Sequence, residues 1–196
     1  MTIKIIKYFS KKSHLYEKKS NTFPWKYIRL NEVQKFMKVM PKKKFLMGLD
    51  LGCGAGFYTK ILKNYCNKVI AVDYSHNMLK NIKDNEIIKI KTNANKLRLN
   101  KKFDIIICLG IFEFNKNYNQ IFKTIKLHSD YKTNILMMIP YKNFFSLFYF
   151  IFHKLNNISL NIYSEKNLIN LIKKNFIIKE IVFTFPFSII FKCQKI

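Results

Sequence analysis

The sequence predicts an α/β fold, a three-layer sandwich in which a mostly parallel, seven-stranded sheet lies between helices. Short apolar runs alternate with helical patterns through residues 45–140, which is the order expected of parallel strands joined by crossover helices. Near the end of the chain two apolar runs follow one another without a helix, which predicts an antiparallel C-terminal edge strand. The 196 residues suit a single domain, and no Pro- or Gly-rich linker divides them.

The first forty residues predict a helical cap outside the sheet. Residues 1–23 are polar and rich in lysine, so we expect them to pack loosely. Pro24 precedes a predicted helix over Trp25–Met40, because proline suits a first helical turn and an imperfect apolar stripe follows it. Pro41 ends this helix, since proline cannot continue it.

Five apolar runs of the central region predict parallel strands, because each is short and rich in branched residues. They are Phe45–Leu51, Lys68–Asp73, Glu86–Lys91, Phe103–Leu109 and Thr133–Ile139. Helical patterns separate most of these strands, at Phe57–Tyr65, His76–Ile82 and Tyr118–Leu127. Phe103–Leu109 is apolar at almost every position, as expected of a strand that is buried on both faces.

The alternation stops at residues 141–163, a segment rich in aromatic residues and asparagine. Ser164 then stands at the cap position of a predicted helix that ends at Lys174, with two lysines in its last turn. Phe176–Phe185 and Ser188–Lys195 are the two apolar runs that predict the terminal hairpin.

Lysine dominates the charge of the chain, which carries 36 basic and 11 acidic residues and a formal charge of +25. Only Arg29 and Arg98 are arginine, and Lys, Asn, Ile and Phe together make up more than half of the sequence. AT-rich codons encode these four residues, so we interpret much of the lysine excess as codon bias. A functional alternative is a basic surface for nucleic acid, an anionic membrane or an acidic carrier.

Several classes of protein are excluded by what the sequence lacks. Its longest apolar run, Phe144–Phe152, is far shorter than the ~20 residues of a membrane-spanning helix, and lysines at positions 4 and 7 argue against a secretory signal. No CxxC pair or histidine at ligand spacing accompanies the four cysteines, Cys53, Cys66, Cys108 and Cys193. We therefore predict a cytoplasmic protein with free thiols and no metal site.

The sharpest motif is a glycine cluster at the end of the first predicted strand. Three of the five glycines lie within residues 52–56, and Gly48 is a fourth. Glycines between a strand and a helix let the backbone turn sharply and approach a ligand closely. The spacing GxGxG differs from the dinucleotide fingerprint GxGxxG, and the sequence has no P-loop.

Asp50, Gly52, Gly54 and Gly56 resemble motif I of the class I S-adenosylmethionine-dependent methyltransferases, in which a strand ends in (D/E)xGxGxG. Two later segments resemble further motifs of this family. Residues 72–79 (VDYSHNML) are similar to its VDxSxxML stretch, and residues 103–114 (FDIIICLGIFEF) are similar to FDxVxxxxxLEH of the small-molecule branch.

The resemblance implies a Rossmann-like fold and S-adenosyl-L-methionine as the cofactor. It divides the single domain into four parts: a helical cap (1–40), a cofactor-binding core (45–140), a variable aromatic insertion (141–163), and a C-terminal helix with the strand hairpin (164–196). The resemblance is strong over the core and weaker beyond it.

The same resemblance implies a set of cofactor-binding residues: Asp50, Gly52, Cys53, Gly54, Gly56, Asp73, Tyr74, Met78, Asn93, Ala94, Leu109 and Gly110. Asp73 closes the second strand, where a carboxylate can accept hydrogen bonds from both ribose hydroxyls. Tyr74 and Met78 would pack on the adenine ring. Leu109 and Gly110 would line the methionine half.

Each of these roles has a structural alternative. Asp73 is also placed to cap the next helix, and Tyr74 and Met78 also suit a hydrophobic core. Asn93 stands where the family usually has an acidic residue. Its amide oxygen can accept from the adenine amino group, but it also suits a plain loop.

The sequence leaves the catalytic residue unassigned. Methyl transfer by in-line displacement depends mainly on alignment, and a base is needed only when the nucleophile arrives protonated. The candidates near the expected mouth of the site are Glu113, Tyr141, His153, Tyr16 and His14, and no pair of them has diagnostic spacing. Glu113 matches the glutamate of the family motif, whereas Phe114 replaces its histidine.

The methyl acceptor is expected to be a small apolar or anionic molecule, free or bound to a carrier. The (D/N)PP(F/Y) motif of enzymes that methylate nucleobase amino groups is absent, and the scarcity of arginine disfavours nucleic-acid recognition. The aromatic run at residues 141–155 suits an apolar pocket, a peripheral membrane contact or a helix packed on the sheet edge. An RNA methyltransferase that uses its lysine-rich surface and a non-catalytic methyltransferase-like subunit are the alternatives.

Overall fold

The computed structural model describes residues 5, 7–11, 13 and 22–196. Its strands are β1 (Phe45–Leu51), β2 (Cys66–Asp73), β3 (Ile87–Lys91), β4 (Ile105–Leu109), β5 (Asn134–Lys142), β6 (Tyr163–Ser164), β7 (Phe176–Thr184) and β8 (Ser188–Lys195). Its helices from residue 22 onward are α1 (Trp25–Val39), α2 (Phe57–Lys63), α3 (His76–Leu79), α4 (Tyr118–Leu127), α5 (Phe144–Leu155) and α6 (Glu165–Lys173). The candidates His14 and Tyr16 lie outside the described residues.

The sheet has the strand order β3-β2-β1-β4-β5-β8-β7, with the two-residue strand β6 paired to the end of β5. Strands β1 to β5 pair in parallel, and β8 runs antiparallel to both of its neighbours. This confirms the α/β class and the mostly parallel sheet with an antiparallel C-terminal strand. That strand lies one position inside the edge, however, and β7 is the edge strand.

Burial explains why the terminal hairpin has this orientation. Ile189, Ile190 and Phe191 of β8 are completely buried, which requires cover on both faces of the sheet. Side chains of β7 are mostly half-buried or exposed, as an edge strand allows. The strand of the hairpin that is buried on both faces, β8, is therefore the one that pairs with β5.

Two hydrophobic clusters fill the space between the sheet and its two helical layers. One contains Leu49, Leu51 and Ile106 of the sheet and packs against α4 and α6. The other contains Ile105 and Ile107 and packs against α1, α2 and α3. Because neighbouring residues of β4 enter opposite clusters, this strand is buried on both faces, as its apolar sequence predicts.

The aromatic insertion contains helix α5, which begins with a reciprocal capping box. The Asn143 Oδ1 accepts from the Ser146 backbone N–H, and the Ser146 hydroxyl accepts from the Asn143 N–H, both at 2.9 Å. Of the expectations for this segment, a helix packed on the sheet is observed, since α5 contacts β5. Among the described residues, no helix is both long and apolar enough to span a membrane.

Candidate functional site

The carboxyl ends of β1, β2 and β4 meet at one edge of the sheet, where the glycine loop begins. The strand order reverses at β1, since β2 lies on one side and β4 on the other, and open α/β sheets bind ligands at such points. The backbone N–H groups of Gly52 and Cys53 donate to the Val72 carbonyl, at 2.8 and 3.0 Å. These hydrogen bonds fix the loop to the end of β2.

The glycines at this edge have two different structural roles. A Cβ atom on Gly52 would lie 2.2 Å from the Ile111 Cγ2, and one on Gly56 would meet a similar obstruction. A Cβ atom on Gly54 or Gly110 would meet no atom within 4 Å. Both of these residues have a positive φ and border a cavity, so their lack of a side chain leaves room for a ligand to approach the backbone.

Asp73 stands at the end of β2 and binds the glycine loop. Its Oδ2 accepts from the Gly54 N–H at 3.0 Å, and its Oδ1 accepts from the Ser75 N–H at 2.8 Å. The cap of helix α3 is the Ser75 hydroxyl, which accepts from the Met78 N–H, so the alternative that Asp73 caps this helix is wrong. A carboxylate has about four lone-pair positions, so Asp73 can still accept hydrogen bonds from two ligand hydroxyls.

A cavity of about 350 Å³ opens at this edge and gathers most of the predicted cofactor residues. Those that line it are Gly52, Cys53, Gly54, Asp73, Tyr74, Met78, Leu109 and Gly110. Glu113 and His153, two of the three main catalytic candidates, also line it. Segments that are distant in the sequence thus contribute to one site.

Asp50 lies behind this cavity and holds β1 to helix α2. It is almost completely buried, and its Oδ2 accepts a hydrogen bond from the Thr59 hydroxyl at 2.6 Å. Burial raises the pKa of Asp50 to about 7, and the hydrogen bond from Thr59 acts in the opposite direction. Asp50 is therefore a buried link between β1 and α2 and does not line the cavity.

Four other predicted residues lie outside the cavity lining: Gly56, Asn93, Ala94 and Tyr141. The Asn93 Oδ1 accepts from the Asn95 N–H at 3.0 Å and so caps the short turn that includes Ala94. The ring of Tyr141 packs against Phe183, with 5.8 Å between the ring centroids. Gly56, which is also outside the lining, is the N-cap residue of α2.

Two carboxylic acids line the opposite wall of the cavity. Glu113 is buried, and its Oε1 accepts from the Tyr149 hydroxyl of α5 at 3.3 Å. Among the described residues, its Oε2 has no hydrogen-bond partner. Glu32 of α1 lies near enough to interact with it electrostatically. Burial raises the pKa of each acid to about 7.

Sequence reasoning missed the residues that α1 contributes to this wall and did not single out Tyr149 of α5. Arg29 and Glu32 of α1 line the cavity together with Tyr149 of α5, and the Arg29 guanidinium lies 4.5 Å from the centroid of the Phe57 ring. One signal was available. Arginine and acidic residues are rare in this chain, as glycine is, yet one of each stands within a single turn of α1.

His153 is buried in an aromatic environment at the same wall. Its ring lies 4.5 Å from that of Tyr149 and 5.7 Å from that of Phe114, measured between centroids. Phe114 is the residue that replaces the histidine of the family motif, and helix α5 brings a different histidine beside it. The described residues contain no group of three His, Cys, Asp or Glu side chains that could hold a metal ion.

The part of the chain that contains the glycine loop, Asp73 and the end of β4 matches a known protein family. Residues 49–127 match the family model described as a methyltransferase domain. A malonyl-[acyl-carrier protein] O-methyltransferase from Ilyobacter polytropus is 36% identical over 83 residues, which are 38% of this chain and 31% of that protein. The chain spans less than half the length of the curated relatives that it matches.

Solved structures resemble the chain over almost its whole length. The magnesium protoporphyrin IX methyltransferase ChlM from Synechocystis, solved with bound SAH, has a TM-score of 0.76 and 16% identity, and the match covers 98% of each chain. The DhpI–SAH complex has a TM-score of 0.77 and 11% identity, covering 98% of this chain and 95% of DhpI. At these identities the likeness establishes the fold, which is that of the class I methyltransferases.

Proposed function

We propose that this chain, whose residues 49–127 match a methyltransferase domain, transfers a methyl group from S-adenosylmethionine to a small apolar or anionic acceptor. One observation carries the proposal: the glycine loop, Asp73 and the end of β4 line a single cavity whose far wall is aromatic. When bound, the cofactor supplies a methyl group activated by a positively charged sulfonium. The protein must hold it, align the acceptor and exclude water.

The cofactor half of the cavity is formed by the strand ends. In our proposal Asp73 accepts hydrogen bonds from the ribose hydroxyls with the lone pairs that the Gly54 and Ser75 N–H groups leave available. Tyr74 and Met78 flank the adenine, and Gly110 lets the backbone approach the methionine half. These are the roles that the family motifs imply.

The acceptor half of the cavity is formed by α1 and α5. Its wall is mainly apolar and includes Trp25, Ile28 and Phe152, which favours an acceptor with an apolar body. Glu113 is the polar group best placed to take a proton from a protonated nucleophile. Its pKa of about 7 suits a general base near neutral pH, and the Tyr149 hydroxyl orients its carboxylate.

A carboxylic acid on an acidic carrier protein is a second candidate acceptor. Two of the curated relatives are named malonyl-[acyl-carrier protein] O-methyltransferases. The formal charge of +25 would attract an acidic carrier, and a carboxylate acceptor would need no base.

Calorimetry on the purified chain tests cofactor binding, and a labelled-methyl assay tests the proposed transfer. We expect S-adenosylmethionine and S-adenosylhomocysteine to bind with one site per chain. We also expect transfer of a labelled methyl group from S-adenosylmethionine to a component of a small-molecule or carrier-protein fraction. Folded protein that binds neither compound would contradict the proposal. Binding without transfer would support the non-catalytic alternative, and label found only in RNA would support the RNA methyltransferase.

The affinity for S-adenosylmethionine is expected to rise about three- to tenfold between pH 6 and pH 8. Glu32 and Glu113 have pKa values of about 7, so they are mostly neutral at the lower pH and mostly ionised at the higher one. Only the ionised carboxylates attract the positive sulfonium. S-adenosylhomocysteine has an uncharged thioether at this position, so its affinity should change less.

Titrations of both compounds across this pH range measure the difference. A variant carrying Glu113→Gln should flatten the pH dependence for S-adenosylmethionine, because its amide cannot ionise. Equal pH dependence for the two compounds would show that these carboxylates do not sense the sulfonium charge.

A further inference from the structure

Helix α5 is inverted relative to an ordinary surface helix, because most of its polar residues face inward and most of its apolar residues face solvent. Ser146 and His153 are buried, and the Tyr149 hydroxyl binds Glu113 in the cavity wall. On the outer face, Phe144 and Leu155 are 72% and 79% exposed. Surface helices normally show the opposite arrangement.

Exposed apolar residues on α1 and on the turn between β7 and β8 extend this face. The Phe145 and Phe185 rings lie 5.2 Å apart, and those of Trp25 and Phe152 lie 6.0 Å apart, measured between centroids. We define the aromatic patch as ten exposed residues of α5, of α1 with the turn before it, and of the turn between β7 and β8: Phe23, Tyr27, Leu30, Phe144, Phe145, Leu147, Phe148, Ile151, Leu155 and Phe185. Soluble proteins rarely expose so many large apolar side chains together.

The patch residues and their immediate neighbours in the sequence carry only positive charge. Residues 22–31, 141–162 and 181–196, which form and flank the patch, contain no aspartate or glutamate. Lys26 and Lys142 are exposed in these segments, and so is Lys154 on α5. An apolar face bordered by lysines complements a surface that has an apolar interior and anionic groups above it.

Codon bias accounts for the abundance of Phe and Lys but not for their placement. Helix α4 also contains isoleucine, phenylalanine and lysine, yet its Ile121, Phe122 and Ile125 are buried against the sheet. In α5 five phenylalanines fall within twelve residues, and all five are at least 39% exposed.

We propose that the aromatic patch docks on an anionic lipid bilayer, with α5 lying in the plane of the interface. The exposed phenylalanines enter the boundary between headgroups and acyl chains, and the neighbouring lysines contact anionic headgroups. Tyr149 and Phe152 of α5 also line the cavity, so docking brings the cavity wall to the lipid surface. If the proposed function holds, an apolar acceptor can then enter directly from the bilayer.

Tryptophan fluorescence of the full chain tests the docking independently of methyl transfer. Trp25 is the sole tryptophan of the sequence, it is half-buried, and it contacts Phe152 beside the patch. Vesicles of phosphatidylcholine with 30% phosphatidylglycerol should shift its emission to shorter wavelength and carry the protein upward in a flotation gradient. Pure phosphatidylcholine vesicles should bind it at least about tenfold more weakly.

Substitutions on the outer face of α5 separate insertion from simple charge attraction. Phe144→Ser and Phe148→Ser should each weaken binding to the anionic vesicles about tenfold, because each removes a large apolar side chain from the interface. Tyr131→Ser is the matched control. Tyr131 is 71% exposed in the turn before β5, at the opposite edge of the sheet, and its loss should leave vesicle binding unchanged.

Three results would overturn the proposal. The first is an absence of vesicle binding by folded protein that still binds S-adenosylmethionine. The second is binding that Phe144→Ser and Phe148→Ser leave at wild-type strength, which would indicate attraction by the lysines alone. The third is a stable dimer in light scattering that both substitutions dissociate, because a second copy of the chain would then cover the patch.

Discussion

Asp73→Ala is expected to weaken the binding of S-adenosylmethionine on the order of 100-fold, the largest loss of affinity expected from a single substitution. The side chain offers two charge-assisted hydrogen bonds to a ribose, and together these contribute about 3 kcal/mol. The same carboxylate accepts from the N–H groups of Gly54 and Ser75. Its removal therefore also releases the glycine loop from the end of β2.

The control for this experiment is Asp130→Ala. The Asp130 Oδ1 likewise accepts from two backbone N–H groups, those of Lys132 and Thr133, at 2.8 and 3.0 Å. It lies in the turn before β5, at the amino ends of the strands, whereas the cavity lies at their carboxyl ends. Both variants should lose stability in urea titrations, whereas only Asp73→Ala should lose affinity in calorimetry. Wild-type affinity in the Asp73→Ala variant would remove Asp73 from the proposed site.

The features of this site that the sequence predicts are those specified by local pattern. The glycine loop and Asp73 each follow a short apolar run, and the carboxyl ends of neighbouring parallel strands must meet at one edge. Knowing the strands and their direction is therefore enough to bring Gly54, Asp73 and Gly110 together. The predicted bounds of β1 and α4 also agree with the structure at every residue.

The contribution of α1 to the acceptor half of the site cannot be predicted in this way, because it depends on tertiary packing. Glu32 and Glu113 are 81 positions apart, and only the docking of α1 against the sheet brings them into one cavity. Helix α5 breaks the rule that apolar residues face inward. Its sequence pattern therefore does not indicate that Tyr149 points toward Glu113. Likewise, no local signal specifies that β8 rather than β7 pairs with β5; the relative burial of the two strands determines it.

Gly52→Ala is expected to reduce the free energy of unfolding by about 2–5 kcal/mol, the largest loss of stability expected from adding one methyl group. The new Cβ would lie 2.2 Å from the Ile111 Cγ2, and relieving such overpacking costs about 1–3 kcal/mol. Alanine at the φ angle of 88° adds about 1–2 kcal/mol of backbone strain.

Gly54→Ala separates the two contributions, because Gly54 also has a positive φ but its Cβ would meet no atom within 4 Å. This variant should lose only the backbone contribution, about 1–2 kcal/mol in urea titrations. The new methyl group would enter the cavity. The variant should therefore lose more binding free energy for S-adenosylmethionine than free energy of unfolding. Equal stability of the Gly52→Ala and Gly54→Ala variants would mean that Ile111 moves aside without cost.

A double-mutant cycle with Ile111→Ala tests the contact between these two residues directly. In the Gly52→Ala/Ile111→Ala protein the obstructing methyl groups of Ile111 are gone, so only the backbone strain and the loss of the isoleucine remain. The double variant should therefore be at least about 1 kcal/mol more stable than the sum of the single losses predicts. Additive losses would instead mean that position 52 requires glycine only because of its positive φ angle. Position 54 requires glycine for the same conformational reason.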